Sequence, residues 1–143
     1  MALKQLNVFV ENKRGALVSI TQTLAEHNVY IRALSIADTE EFGILRMIVS
    51  DIDTAKSALA NLGCIVNISD VVGIKIGDAP GKLSAALEVL DKACINLEYL
   101  YAFLTRTERH AYVVFRVAEN DAAEDVLTSA GFHLISDADV LKL

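Results

Sequence analysis

Val10-Glu11-Asn12-Lys13-Arg14-Gly15-Ala16-Leu17 is the stretch that decides the fold, because a related stretch recurs as Gly77-Asp78-Ala79-Pro80-Gly81-Lys82-Leu83. Each copy follows a short apolar run and begins a helical pattern. Gly63-Cys64 recurs in the same way as Gly131-Phe132, each time after a second helical pattern. The chain is therefore predicted to be a tandem repeat.

The two halves align over most of their length. Residues 6–34 match the second half at an offset of 66, and residues from 49 onward match it at an offset of 68. The two additional residues fall in a polar segment between two apolar runs, where a hairpin loop tolerates insertion. We predict two domains, 1–69 and 70–143.

Each half carries the pattern of four strands and two helices. Leu6, Val8 and Val10 alternate with other residues as in a half-buried strand. Asn28 and Gly63 are predicted to end the two helices of the first half. The order βαββαβ occurs twice, which predicts an α+β fold of two tandem ferredoxin-like units, each with an antiparallel sheet and both helices on one face.

The sheet face opposite the helices is predicted to be unusually apolar. The residues assigned to it are Phe9, Leu34, Ile36, Ile44, Ile48, Leu100, Ala102, Tyr112 and Val114. Another sheet or another chain is expected to cover this face, since a solvated face normally carries alternating polar residues. The alternative is that these are scattered exposed apolar residues, which are common.

Composition limits the classes of protein. The 143 residues are 53% apolar with a net charge of −6. Halves of this size are marginal alone, so the copies are expected to stabilise one another or the chain to form a homodimer. The chain has no membrane-spanning run, signal peptide or basic block, which indicates a cytoplasmic protein without a membrane or nucleic-acid partner.

Catalytic machinery is hard to find in the sequence. His27, His110 and His133 occupy a helix end, a hairpin and a strand start, and are not expected to converge. Cys64 and Cys94 have no metal-like spacing and are predicted to be packed, reduced thiols. Neither turn matches a nucleotide-binding motif. We expect no catalytic residue, no metal and no cofactor.

The strand–turn–helix segments are better candidates for a site. Gly15 lacks a Cβ, so a ligand can approach the backbone, and the following amides face outward at a helix N-terminus. Asn12 offers a donor and an acceptor, while Pro80 pre-sets the second turn. Spacing alone equally supports two helix starts with no ligand.

These residues resemble the ACT domain. Residues 11–17, with a helix that leads into residues 24–31, are similar to the ACT domain of D-3-phosphoglycerate dehydrogenase. Residues 78–83 with Ile95-Asn96-Leu97 resemble it again. The resemblance implies a regulatory module that binds an amino acid or a similar metabolite between two domains.

The resemblance also implies the binding residues. In the first copy they are Asn12, Arg14, Gly15, Ala16, Leu17 and Tyr30; in the second they are Asp78, Pro80, Gly81, Lys82, Leu83 and Asn96. Tyr30 replaces the usual Asn and Arg14 the customary Pro, so the two copies are predicted to be unequal.

The expected function is a non-catalytic sensor of a free amino acid. The alternative is a regulatory subunit of a separate enzyme of amino-acid metabolism, because the chain shows no catalytic domain. A small ferredoxin-like enzyme is the third possibility, and it would need turnover that depends on His110 or Asp78.

Overall fold

The computed structural model describes residues 3–38, 41–105 and 109–143. The strands are β1 (Leu3–Glu11), β2 (Ile31–Asp38), β3 (Phe42–Val49), β4 (Ile65–Gly77), β5 (Leu97–Ala102), β6 (His110–Val117) and β7 (His133–Leu134). The helices are α1 (Ala16–Glu26), α2 (Ile52–Asn61), α3 (Lys82–Lys92), α4 (Asn120–Ser129) and α5 (Asp137–Val140). Parts of the two predicted hairpin loops, residues 39–40 and 106–108, lie outside the described residues.

The chain divides into two units, one of residues Lys4–Ser69 and one of Asp70–Leu143 with Leu3. In the first unit the strand order is β2-β3-β1-β4, and β1 pairs antiparallel with β3, so that Val8 lies opposite Leu45. The Asn7 side-chain amide donates to Asn67 Oδ1 at 2.8 Å, which joins β1 to β4.

The core of the first unit lies between the helices and one sheet face. Leu6 and Val8 of β1 pack with Leu24 of α1 and Leu59 of α2, and each of these side chains is fully buried. Burying an aliphatic side chain of this size stabilises the fold by about 1.5–3 kcal/mol relative to leaving it exposed.

The second unit repeats this arrangement. Its strand order is β7-β4-β6-β5, with all pairings antiparallel. Val72 and Ile74 of β4 pack with Leu90 of α3 and Leu127 of α4 in its core. The prediction of two tandem ferredoxin-like α+β units is confirmed.

The repeat extends to the backbone conformation. Three pairs of equivalent residues are left-handed: Gly15 and Gly81 at φ 88° and 85°, Asn28 and Cys94 at 56° and 57°, and Gly63 and Gly131 at 95° and 92°. Beyond α1 the Val29 N–H donates to Leu24 O at 3.0 Å, and beyond α3 the Ile95 N–H donates to Leu90 O at 2.9 Å. These bonds satisfy carbonyls at the helix ends. The sequence predicted this role for Asn28 and missed it for Cys94.

Part of the predicted open face is wrong. A register shift between Ile31 and Ala33 places Leu34 opposite Met47, and Ile36 lies opposite Leu45. Met47 and Leu45 belong to the helix-side core, so Leu34 and Ile36 are on the helix face. The shift turns the residues after it to the other face of the sheet.

The same error occurs in the second unit. A register shift between Leu97 and Tyr99 places Leu100 opposite Phe115, and Ala102 opposite Val113, again on the helix face. The other residues are correctly assigned. Phe9 lies opposite Ile44, and Tyr112 lies opposite Lys75, on the faces away from the helices.

The C-terminal segment also differs from the prediction. The last strand, predicted to begin at His133 and run to Ser136, ends at Leu134, and α5 follows it. Ser136 and Asp139 form a reciprocal capping box at the start of α5. No helix in the three described ranges is long and apolar enough to cross a membrane.

Candidate ligand-binding site

The turn between β1 and α1 is the first candidate site. Gly15 precedes the helix, and a Cβ built on it would have nothing within 4 Å, so this side of the turn is open. No side chain of the described residues caps α1. At α2, by contrast, Asp51 Oδ1 accepts from the Thr54 N–H at 3.1 Å. The Ala16 N–H donates to Lys13 O at 3.3 Å, so the Leu17 and Val18 amides of the first turn are the ones available to an anionic group.

A cavity of about 230 Å³ lies at this turn. It is lined by Val10, Glu11, Asn12, Lys13, Gly15, Ala16, Leu17, Val18, Ile36 and Gly43. The structure thus brings four residues of the predicted set, Asn12, Gly15, Ala16 and Leu17, to the lining of one cavity.

Two lining residues, Ile36 of β2 and Gly43 of β3, come from strands that the sequence analysis did not connect with this turn. Gly43 lies opposite Val10 in the sheet, and a Cβ built on it would come within 3.3 Å of Ile36 Cγ1. Its equivalent at an offset of 68 is Ala111, which lies opposite Ile76. This glycine-for-alanine difference was visible in the sequence, but its meaning depends on the strand pairing.

The polar groups at the turn are already partly paired. Lys13 Nζ lies 3.1 Å from Glu11 Oε2, with both side chains largely exposed. The Asn12 N–H donates to Glu41 O at 3.0 Å, which joins the turn to the start of β3. The exposed ion pair adds little stability and leaves both groups able to reorient.

Arg14 and Tyr30 do not line this cavity. Arg14 lines a neighbouring hollow of about 500 Å³ that includes Phe42, Leu62 and Ile65. Tyr30 is exposed, and the Arg32 guanidinium lies 4.6 Å from the centroid of its ring.

Cys64 also lines the 500 Å³ hollow, whereas Cys94 is exposed. Burial raises the pKa of the Cys64 thiol, so this group stays protonated near neutral pH and is a poor nucleophile. Both cysteines are free, as predicted, but the exposure of Cys94 corrects the prediction that it is packed.

The predicted residues of the second copy are dispersed. Asp78, Pro80 and Gly81 are exposed at the turn, where the Asp78 N–H donates to Arg109 O at 2.9 Å. Leu83 packs against the core. Asn96 lines a separate hollow of about 320 Å³.

Lys82 lies over Gly77, where a Cβ would come within 3.3 Å of the Lys82 stem. Its side chain lines a hollow of about 440 Å³ with Lys75, His110 and His133. The prediction that the histidines do not converge is therefore wrong for His110 and His133.

His27 lies in the other unit. It is exposed, and its Nδ1 lies 2.8 Å from Thr23 O, so it is a helix-end residue rather than a packed one. Among the residues that the structure describes, no group of three or more His, Cys, Asp or Glu side chains is arranged to hold a metal ion.

Comparison with known families gives a match over the whole chain. The profile of the ACT domain pair family matches residues 1–143. The comparison with curated proteins found no match.

Solved structures are also similar to this chain. Protein BT0572 from Bacteroides thetaiotaomicron is 40% identical with a TM-score of 0.93, and the match covers 100% of this chain and 98% of that one. The ligand-free regulatory subunit of aspartate kinase from Thermus thermophilus is 16% identical with a TM-score of 0.64, covering 90% and 92%. The corresponding subunit from Thermus flavus is 16% identical with a TM-score of 0.58, covering 89% and 91%. At this identity the two subunits show a shared fold.

Proposed function

Because the chain belongs to the ACT domain pair family, we propose that it is a non-catalytic sensor that binds a free amino acid at the β1–α1 turn of its first unit. The observation that carries this proposal is the 230 Å³ cavity beside a helix start that no described side chain caps. The cavity contains four of the six residues that the family resemblance indicated in this copy.

The chemistry of an amino acid suits this cavity. Its carboxylate would accept hydrogen bonds from the amides at the start of α1, where the helix dipole favours negative charge. Its ammonium would donate to the Asn12 side-chain oxygen or to a backbone carbonyl. Val10 and Ile36 supply an apolar wall for its side chain. Asn96, which is equivalent to Tyr30 rather than to Asn12, is the polar anchor that we propose for the second copy.

A screen of the twenty amino acids tests the proposal. We expect one amino acid or a small related group, at millimolar concentration, to raise the melting temperature and give saturable heat in calorimetry, because a ligand of the folded state stabilises it. The Gly43→Ala variant should weaken this binding at least tenfold, since its new methyl group lies 3.3 Å from Ile36 Cγ1 at the cavity wall.

The matched control is Ala111→Gly, which makes the reverse change in the second unit and should leave the affinity unchanged. A folded protein that responds to no amino acid contradicts the proposal. Unchanged affinity in the Gly43→Ala variant contradicts the placement of the ligand in this cavity.

A regulatory subunit of a separate enzyme is the second candidate. The observation in its favour is the 500 Å³ hollow, around which Phe42, Leu62 and Ile65 are 53%, 44% and 70% exposed in the single chain. Exposed apolar side chains that cluster in this way are typical of a protein interface. An enzyme that co-purifies stoichiometrically with the native chain but not with the Ile65→Lys variant would support this candidate. The control is Leu141→Lys, which changes an exposed leucine outside this hollow. A homodimer through the same hollow would instead appear in sedimentation of the purified chain.

A further inference from the structure

The 440 Å³ hollow of the second unit gathers basic side chains from four elements. Lys75 comes from β4, Lys82 from the start of α3, His110 from β6 and His133 from β7. The sheet register explains why they meet: His133 lies opposite Lys75, and His110 lies opposite Gly77. Residues directly opposite one another in antiparallel strands share a face.

Gly77, at the end of β4, leaves room for the Lys82 side chain to pass over the strand. A Cβ at Gly77 would lie 3.3 Å from both Cγ and Cε of Lys82. The aliphatic stem of Lys82 thus occupies the space that a larger side chain at position 77 would fill, and Lys82 lines the hollow together with Lys75.

The first unit shows that the fold does not require basic residues at these positions. The equivalents of Lys75 and Lys82 at an offset of 66 are Phe9 and Ala16; those of His110 and His133 at an offset of 68 are Phe42 and Ile65. All four of these equivalents line the 500 Å³ hollow of the first unit. These four positions of the hollow are therefore apolar in the first unit and basic in the second.

The lining of this hollow carries lysines and no acidic side chain, although the Asp139 carboxylate of α5 interacts electrostatically with His133 from outside it. The other lining residues are Ile76, Gly77, Gly131 and Phe132, none of which is acidic. Within the described ranges, neither lysine has a carboxylate at ion-pair distance. The chain as a whole is acidic, with 19 aspartates and glutamates against 13 lysines and arginines. The excess of positive charge in this hollow therefore provides a local positive field that attracts anions.

We propose that this hollow binds a phosphate-bearing small molecule. Two ammonium groups and two imidazoles supply donors from four directions, which suits the three acceptor oxygens of a phosphate group better than the two of a carboxylate. The hollow is larger than one phosphate group, so the rest of a small metabolite fits beside it. This site is separate from the amino-acid cavity and does not depend on the function proposed for it.

Titration with inorganic pyrophosphate, followed by amide NMR at constant ionic strength, tests the site. We expect saturable shifts at residues 75–77, 110 and 131–133, and none at residues 12–17. The Lys75→Gln/Lys82→Gln double variant should weaken binding at least tenfold, because it removes both ammonium groups that donate charge-assisted hydrogen bonds to the phosphate oxygens. Each single variant should weaken it less, which keeps the test available if the double variant does not fold.

Lys92→Gln is the matched control, since Lys92 is an exposed lysine of the same unit that pairs with Glu88 at 3.1 Å. It should bind pyrophosphate as the native chain does. Shifts that do not saturate, or equal weakening by Lys92→Gln, overturn the site. Binding of succinate as tightly as pyrophosphate overturns the assignment to phosphate.

Discussion

Gly15 and Gly81 are equivalent residues whose backbones the repeat places in the same conformation. Each glycine immediately precedes a helix, and their φ angles are 88° and 85°. A Cβ built on either one would have no atom within 4 Å. They differ in what they adjoin, because Gly15 lines the amino-acid cavity while Gly81 lies at the exposed second turn. This pair therefore separates backbone strain from loss of a ligand contact.

We expect Gly15→Ala and Gly81→Ala to reduce the free energy of unfolding by a similar amount, about 1–2 kcal/mol, since an L-residue is strained in the left-handed region. Only Gly15→Ala should also weaken amino-acid binding. Denaturant unfolding and calorimetry measure the two effects. If Gly81→Ala abolishes binding and Gly15→Ala does not, the amino-acid site lies in the second copy.

Single residues also show where sequence reasoning succeeds. Asn28 was predicted to end α1, because asparagine tolerates the left-handed region, and the structure confirms it. Cys94 has the same conformation, yet cysteine carries no such signal. Only the alignment of the halves at an offset of 66, which pairs Cys94 with Asn28, predicts the left-handed conformation of Cys94.

At the scale of elements, alternation located the strands but not their irregularities. The register shifts in β2 and β5 follow Ile31 and Leu97. A shift of one residue exchanges the two faces, and its position depends on the partner strand rather than on the local pattern. Leu34 and Leu100 were therefore assigned to the wrong face.

The capping box of α5 is an element-scale feature with a pH-dependent consequence. The Ser136 N–H and hydroxyl donate to Asp139 Oδ2 at 2.9 and 3.0 Å, and together they lower the pKa of Asp139 below its ordinary 3.8. A lowered pKa in the folded state means that the carboxylate contributes stability above pH 3.8, which is lost as the pH falls through the folded-state pKa.

Asp139→Asn should therefore lower the melting temperature at neutral pH, and this effect should shrink as the pH falls through the folded-state pKa of Asp139, where the native carboxyl becomes protonated. Ser136→Ala should reduce the free energy of unfolding by about 1 kcal/mol through loss of the cap. Thermal unfolding across this pH range measures both effects. The control is Asp125→Asn, at an exposed carboxylate of α4; an equal pH dependence in that variant contradicts the role of the capping box.

At the scale of the whole molecule, the repeat made the fold predictable, while the hollows depend on long-range pairing. The βαββαβ order could be predicted from local sequence patterns, and its occurrence in both halves supported the prediction. The basic hollow of the second unit arises because His133, 58 positions further along the chain, lies opposite Lys75. No local pattern gives that register, so His133 was not expected to meet His110.

The last prediction concerns how the two units unfold. Strand β4 runs from Ile65 to Gly77 and supplies both cores, with Ile68 in the first and Ile74 in the second. Each unit has about 70 residues, a size at which a domain buries a low fraction of its surface. We therefore expect one cooperative unfolding transition for the chain.

Leu24→Ala and Leu90→Ala test this expectation, because they remove the same buried side chain from equivalent positions of α1 and α3. Each should lower the free energy of unfolding by about 2–5 kcal/mol through the cavity that it creates. If β4 couples the cores, both variants keep a single transition, which different spectroscopic probes report at the same denaturant concentration. If either variant shows two transitions, and the one of the unmutated unit stays at the native denaturant concentration, the two units unfold independently.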